Sequence, residues 1–278
     1  MNKFGLMLCT VLILSASLTG CAENKIAPNK PNSVTLPSNP ITNNSTNKDL
    51  SNAKNDMPAY YDYKGTIGQS KIEMEIYKNQ NNIMGTYLYD DVGKEIMLKG
   101  TWKNQTLKLT EFDNSSKTGN IQAKENDKDQ FIGTWSNSDN TKTYPLALNL
   151  IQVIYADYGH KYRAAGIDND KEVEQFAQTI QDDVKVNDKN SLATRIHFPI
   201  NCTIDGKKME IDNYQEFIKY YDKILNPNFK NVLSAASTKF MFGNSQGVMF
   251  GGNMYNVWIN NVMNTPYPLK LYITAINN

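Results

Sequence analysis

The alternation of apolar and polar positions changes character several times along the chain, and each regime predicts a different element. Phe4 to Ala16 is almost wholly apolar, follows Lys3 and runs into the small residues before Cys21. A charged start, an apolar stretch of roughly 7–15 residues and a small-residue exit describe a secretory leader. The stretch falls short of the about 20 apolar residues that a spanning helix needs. Residues 22–57 then hold Asn, Pro, Ser, Thr and Lys with few groups that could be buried. Such a segment cannot offset its own ordering entropy, so it predicts a tether with an average span of roughly 30–36 Å.

From Tyr60 to Leu150 the period is two. Ile72-Glu73-Met74-Glu75-Ile76-Tyr77 alternates as a half-buried strand does, and similar short runs recur between turn residues such as Asp90-Asp91-Val92-Gly93 and Lys103-Asn104. The spacing predicts an antiparallel meander with few or no helices. Gly85-Thr86-Tyr87, Gly100-Thr101-Trp102 and Gly133-Thr134-Trp135 repeat at irregular intervals, which excludes a solenoid or propeller. Glycine inside a strand marks a bulge or a close approach of backbones. Curvature with aromatic packing is therefore the first reading, and an aromatic platform for a glycan or peptide the second.

Beyond a junction at Tyr155 to Ile167 the period lengthens. Val173, Phe176, Ala177, Ile180 and Val184 share one helical face, behind Asn169 and Glu172 at the spacing of a capping box. A short helical stretch over Ser191 to Ile196 runs into His197-Phe198-Pro199. Ile200 to Ile211 predicts a hairpin turning at Asp205-Gly206. Asp212-Asn213 predicts the cap of a helix striped by Tyr214, Phe217, Tyr221, Ile224 and Leu225. After Asn226-Pro227 the remaining segments read as strands.

Two resemblances add to this pattern. Leu18-Thr19-Gly20-Cys21 resembles the lipobox of bacterial lipoproteins. The resemblance implies cleavage behind Gly20 and lipidation of Cys21 with a diacylglycerol and an amide-linked acyl chain of the palmitate kind. One chain alone would bind a membrane only marginally, so the double modification makes a stable anchor. It also implies a cell-envelope location on a bacterial membrane, the outer membrane facing the periplasm in a Gram-negative cell. The order helix, helix, hairpin, helix and strands over Lys171 to Asn278 resembles the nuclear transport factor 2 superfamily. Phe176, Val184, Phe198-Pro199-Ile200, Asp205-Gly206, Phe217, Tyr220-Tyr221, Gly247 to Gly251 and Trp258 carry it. That likeness implies a sheet curled over helices into a cone with an end able to hold a ligand. The expected fold class is α+β: a small antiparallel β-barrel or sandwich, then a nuclear transport factor 2-like α+β cone. The expected organisation is a leader over 1–20, a tether over 21–58, a β domain over 59–154 and the cone over 166–278.

Composition narrows the chemistry. The chain carries 29 Lys and Arg against 28 Asp and Glu, a formal charge of +1, and loss of Lys3 with a leader brings that to zero. Balanced charge offers no electrostatic case for nucleic acid. Of three cysteines, Cys9 lies in the leader and Cys21 in the lipobox, so Cys202 has no partner for a disulfide and reads as a small core residue. His160 and His197 are the only histidines, which excludes a histidine-rich metal site. Neither metal nor cofactor is expected. Candidate polar groups for a cone pocket are His197, Tyr214 and Tyr255, with Asp212 and Tyr220 beside them. Ketosteroid isomerase-like enzymes of the superfamily place an Asp base and a Tyr donor there, yet no two of these residues have a spacing that demands a joint role. Asp212 is explained as a helix cap and His197 as a structural neighbour of Phe198-Pro199. The expected function is that of a membrane-anchored envelope lipoprotein, not an enzyme, which binds an unidentified envelope protein, peptide or glycan. The alternative is a cone-pocket small-molecule binder or isomerase-like enzyme.

Overall fold

The computed structural model describes residues 57–89, 94–252, 254–263 and 269–278. The leader, Cys21 and most of the tether lie outside the described residues. Eight antiparallel strands come first: β1 (Ala59–Ile67), β2 (Ser70–Asn79), β3 (Asn82–Tyr89), β4 (Ile96–Lys103), β5 (Thr106–Asp113), β6 (Ser116–Glu125), β7 (Gln130–Asn137) and β8 (Thr143–Tyr155). Each pairs with the next, and β8 returns to pair with β1, so the meander closes into a barrel without free edges.

The period-two pattern is what fills it. Inward positions such as Tyr63, Met74, Leu98, Leu107, Ile121, Phe131 and Leu148 are buried together. Outward positions Lys99, Lys108, Gln122 and Lys124 are exposed. The glycine repeat marks where neighbouring backbones press closest. A Cβ on Gly100 would sit 1.9 Å from the carbonyl oxygen of Lys108, and one on Gly85 2.2 Å from that of Glu75. The next inward residue in each case, Trp102 or Tyr87, is buried in the barrel interior. At one end of this interior Glu111 is buried and accepts three bonds of 2.6 Å, from Tyr87 Oη, Trp135 Nε1 and Thr118 Oγ1.

After a single 3₁₀ turn at Arg163–Ala165 come α1 (Asp170–Lys185), α2 (Lys189–Ala193), the hairpin β9 (Ile200–Ile204) and β10 (Lys207–Ile211), α3 (Tyr214–Ile224) and α4 (Pro227–Ala235). The strands β11 (Phe242–Asn244), β12 (Gly247–Gly252), β13 (Tyr255–Val262) and β14 (Lys270–Asn277) form one sheet. Asn169 and Asn213 cap α1 and α3, each accepting the amide of the residue three positions on. Asp212 does not cap α3; its own amide instead donates to Glu216.

The expected fold class is corrected here. Among the described residues strand makes up 52% and helix 21%, and a closed eight-stranded barrel dominates, so the molecule is not a nuclear transport factor 2-like α+β cone. The reason lies in the pairing. β9 and β10 form a two-stranded sheet of their own, apart from the four-stranded one. Where a continuous ladder would join them to β14, the side chain of Asn278 exchanges two 2.7 Å bonds with the backbone of Thr203. The space under the four-stranded sheet is filled by Phe217, Tyr221, Phe229, Leu233, Val248 and Phe250, all buried. A further departure is α4, in a region expected to hold only strands. Asn226 accepts the amide of Phe229 and Pro227 opens the helix, the usual chemistry of a helix start.

Candidate functional site

The site begins with strand register. β1 and β2 place Asp62 directly opposite Glu75, flanked on the same outer face by Tyr60 opposite Tyr77 and Lys64 opposite Glu73. Opposed carboxylates repel one another. On its other side Asp62 pairs with Gln152 of β8, but Tyr63 pairs with Leu150, so Ile151 is an inserted residue and stands exposed. That bulge switches β8 from Leu150 facing inward to Gln152 facing the outer wall, the kind of re-aiming that bulges provide.

The counter-charge comes from the junction behind the barrel. Lys161 Nζ lies 2.7 Å from Asp62 Oδ2 and 2.5 Å from Glu75 Oε2, with its side chain 3% exposed. The rings of Tyr60, Tyr162 and Phe240 surround the ammonium at 5.6–5.9 Å. Its backbone is fixed by Asp170 at the start of α1, whose carboxylate accepts the amides of Lys161 at 3.0 Å and Tyr162 at 3.2 Å. Tyr162 in turn accepts the amide of Met241 at 3.1 Å, and Gly243 makes room for its ring: a Cβ there would lie 2.8 Å away. Thus a barrel wall, a junction loop and the sheet of the second half meet on one lysine.

Electrostatics follow from this burial. Desolvation alone would lower the pKa of Lys161, but Tyr162, Glu75 and Asp62 outweigh it and hold the ammonium above its usual range. Burial pushes Glu75 up to about 7; Lys161 pulls against that shift and Asp62 adds to it. One lysine therefore serves two carboxylates, and burial favours the protonated form of Glu75. Hydrogen bonding is also incomplete. Gln152 Nε2 donates to Asp62 Oδ2 and to the carbonyl of Met241, 3.2 Å away. Asp62 Oδ1 and Gln152 Oε1 are sealed from bulk water and receive no donor from the described residues. Each such orphan costs about 1–3 kcal/mol.

A cleft opens on either side of this cluster. The larger, about 620 Å³, runs between Tyr60, Glu75 and Tyr158 and the α1 residues Asp170, Glu174, Gln175 and Gln178. The smaller, about 430 Å³, has Asp62, Gln152 and Ile151 on one side and Ala235, Met241, Met249 and Gly252 on the other. Lys239 and Phe240 line both. Lys239 is tied to Glu174 at 2.6 Å and Glu95 at 3.0 Å. Phe240 has φ +54°, a left-handed conformation that is strained for a bulky side chain. The seam thus offers acceptors without donors, a carboxyl that titrates near pH 7 and apolar walls. Among the described residues no group of His, Cys, Asp and Glu is placed to hold a metal ion.

The residues chosen from sequence lie elsewhere, and none lines these clefts. His197 is exposed beside Tyr272, ring centroids 5.9 Å apart, and its amide donates to Ile273 at 2.9 Å. Tyr214 opens α3 and donates its hydroxyl to Asn190 at 2.9 Å. Tyr255 opens β13 and stacks on Phe229 at 5.6 Å. Tyr220 is half-buried against the core of the second half. Cys202 is buried and burial pushes its thiol up to about 12, which suits a packing role. Asp62, Glu75, Gln152 and Lys161 were not singled out by sequence. The available signal was Tyr60 and Tyr77, large aromatic residues at outward positions, where a solvated wall would carry polar ones. The chain matches no family model, no curated protein and no solved structure.

Proposed function

We propose that the chain is a membrane-anchored lipoprotein of a bacterial cell envelope, held by lipid on Cys21, and that its folded body is a non-catalytic binding module. The seam between the barrel and the helical half is its binding surface. The observation that carries this reading is the pair of clefts meeting at an ion cluster whose hydrogen bonds are incomplete. Buried polar groups are normally paired, and a functional role is one common reason for an exception. The filled interior beneath the four-stranded sheet supports placing the ligand at the seam rather than in a cone. The barrel supports anchoring by lipid rather than by its own strands. It is apolar within and carries Lys99, Lys108 and Lys124 outside, the inverse of a membrane-spanning barrel.

Two measurements test this. Cys21→Ser, expressed in a bacterial host, should move the chain from the membrane to the soluble fraction in high salt; continued membrane association rejects the anchor. Arrays of envelope peptides and glycans should give ligands whose binding is lost in Gln175→Arg, a change at an exposed position of α1 that lines the larger cleft. Binding that survives this change at unaltered melting temperature rejects the seam as the binding surface.

A further inference from the structure

Taking the seam to be a binding surface, as proposed above, the smaller cleft says what chemistry it receives. Its floor is the ladder pair Asp62 and Gln152, and both contribute an orphaned acceptor, Oδ1 and Oε1. Asp62 is 4% exposed. The missing partner must be a donor, because neither a carboxylate oxygen nor an amide oxygen can give a hydrogen. It must bring more than one N–H to serve both atoms. Charge points the same way. Among the described residues the cations near the floor are already engaged: Lys161 with Asp62 and Glu75, Lys64 with Glu73, and Lys239 with Glu174 and Glu95. With Asp62 and Glu75 both ionised, the cluster of Asp62, Glu75 and Lys161 carries one uncompensated negative charge. The cleft walls supply apolar contact from Ile151, Met241 and Met249.

We infer that the smaller cleft binds a molecule presenting a protonated amine on a short apolar body, its ammonium hydrogens received by Asp62 Oδ1 and Gln152 Oε1. Because both oxygens are sealed from bulk water, the lining side chains have to part to admit the donor, which sheds its hydration on entry, as an ammonium carried on an alkyl stem does more readily than a bare ion. Free alkylamines and lysine side chains of peptides share this chemistry. Site charge makes the binding pH-dependent. Glu75 faces Asp62 across β1 and β2 and Lys161 from the junction, with Glu174 and Asp170 of α1 and Lys239 of the neighbouring loop beside it. A proton on Glu75 cancels the uncompensated charge, so the ammonium is held more weakly when Glu75 is protonated.

The test is isothermal titration of the full chain, in mild detergent, with four probes: n-butylammonium, n-butanol, butyrate, and Nα-acetyl-lysine methylamide. Saturable binding of n-butylammonium with a Kd on the order of 1 mM is expected for so small a ligand. The alcohol and the carboxylate should give none. Binding should be roughly tenfold tighter at pH 8 than at pH 5.5, the worth of one nearby charge at a partly buried site, and Glu75→Gln should abolish that difference. Asp62→Asn should abolish binding. Gly252→Leu keeps the ion cluster intact and adds bulk to a cleft wall where a Cβ meets open space; it should also abolish binding at an unchanged melting temperature. Tighter binding of the lysine derivative than of n-butylammonium assigns the site to a peptide side chain, and the reverse assigns it to a free amine. Absence of saturable binding by either ammonium overturns the inference and leaves the two oxygens to bound water. Binding unaltered by Gly252→Leu overturns the assignment to this cleft. If array ligands still depend on Gln175 while neither ammonium binds, the inference falls and the seam remains a binding surface; if neither ligand class binds, both fall.

Discussion

Two buried carboxylate sites, one inside the barrel and one on its wall, solve the same physical problem to different degrees. Glu111 inside has no cation among its hydrogen-bond partners, yet three neutral donors fill its oxygens at 2.6 Å. Asp62 and Glu75 outside have a lysine at 2.5–2.7 Å, yet one oxygen of Asp62 receives no donor from the described residues. Complete satisfaction by rigid neighbours is what a structural carboxylate needs. A strong counter-charge with open valences, next to two clefts, leaves something for a ligand to do. Presence of a buried acid therefore separates nothing; the tally of its donors does.

The comparison is broken most forcefully at Lys161. Lys161→Met should cost roughly 3–5 kcal/mol in denaturant unfolding at pH 8, the range for stripping one partner from a buried ion pair. The loss should shrink at pH 5, where carboxyls left without the lysine can take up protons. A loss that is the same at both pH values would show that packing of the lysine stem, not its charge, matters. Next comes Glu111→Ala, expected to cost about 2–4 kcal/mol in denaturant unfolding, because it orphans Tyr87 Oη and Trp135 Nε1. A loss below about 1 kcal/mol would erase the distinction between the two sites, since it would mean that the three donors do not depend on the carboxylate.

Glu75→Gln sharpens the contrast further. A carboxyl whose folded pKa, about 7, stands above its unfolded value of 4.5 binds more protons folded than unfolded between those limits. Its contribution is complete below about pH 4.5 and is lost as pH rises through about 7. Wild-type stability relative to Glu75→Gln should accordingly fall across that window, opposite in sign to an ordinary ion-paired carboxylate. The smallest effect belongs to His197→Ala, an exposed ring outside both sites, which should change stability by about 0.5 kcal/mol or less. A larger loss would mean that its contact with Tyr272 organises the strand end.

Much of the fold was legible because its strands and helix starts are written locally. Alternation named the inward side chains of β2, and the glycine–aromatic steps at Gly100-Thr101-Trp102 fit the points of closest strand approach. Asn169 and the stripe from Val173 to Val184 did the same for α1. The architecture of the second half was not legible, since whether β9 continues into β14 depends on one amide side chain, Asn278, against a distant strand. The helix α4 was missed for a local reason: Asn226-Pro227 punctuates a chain equally well as a stop and as a helix start. The site itself was hidden because Asp62 and Glu75 look like ordinary outward positions of alternating strands. Only a residue about 100 positions away in sequence turns that wall into an interior.

Closure of the barrel has a consequence for how the chain is made. β1 gains its second neighbour only when β8, ending at Tyr155, has emerged, so in N- to C-terminal emergence of the chain an early strand waits with one edge open while the intervening ones follow. Lys161 follows β8 by a few residues. The wall formed by closure and the cation that makes its acids tolerable away from water thus emerge almost together, so the barrel is sealed and its outer acids gain their counter-ion in one interval.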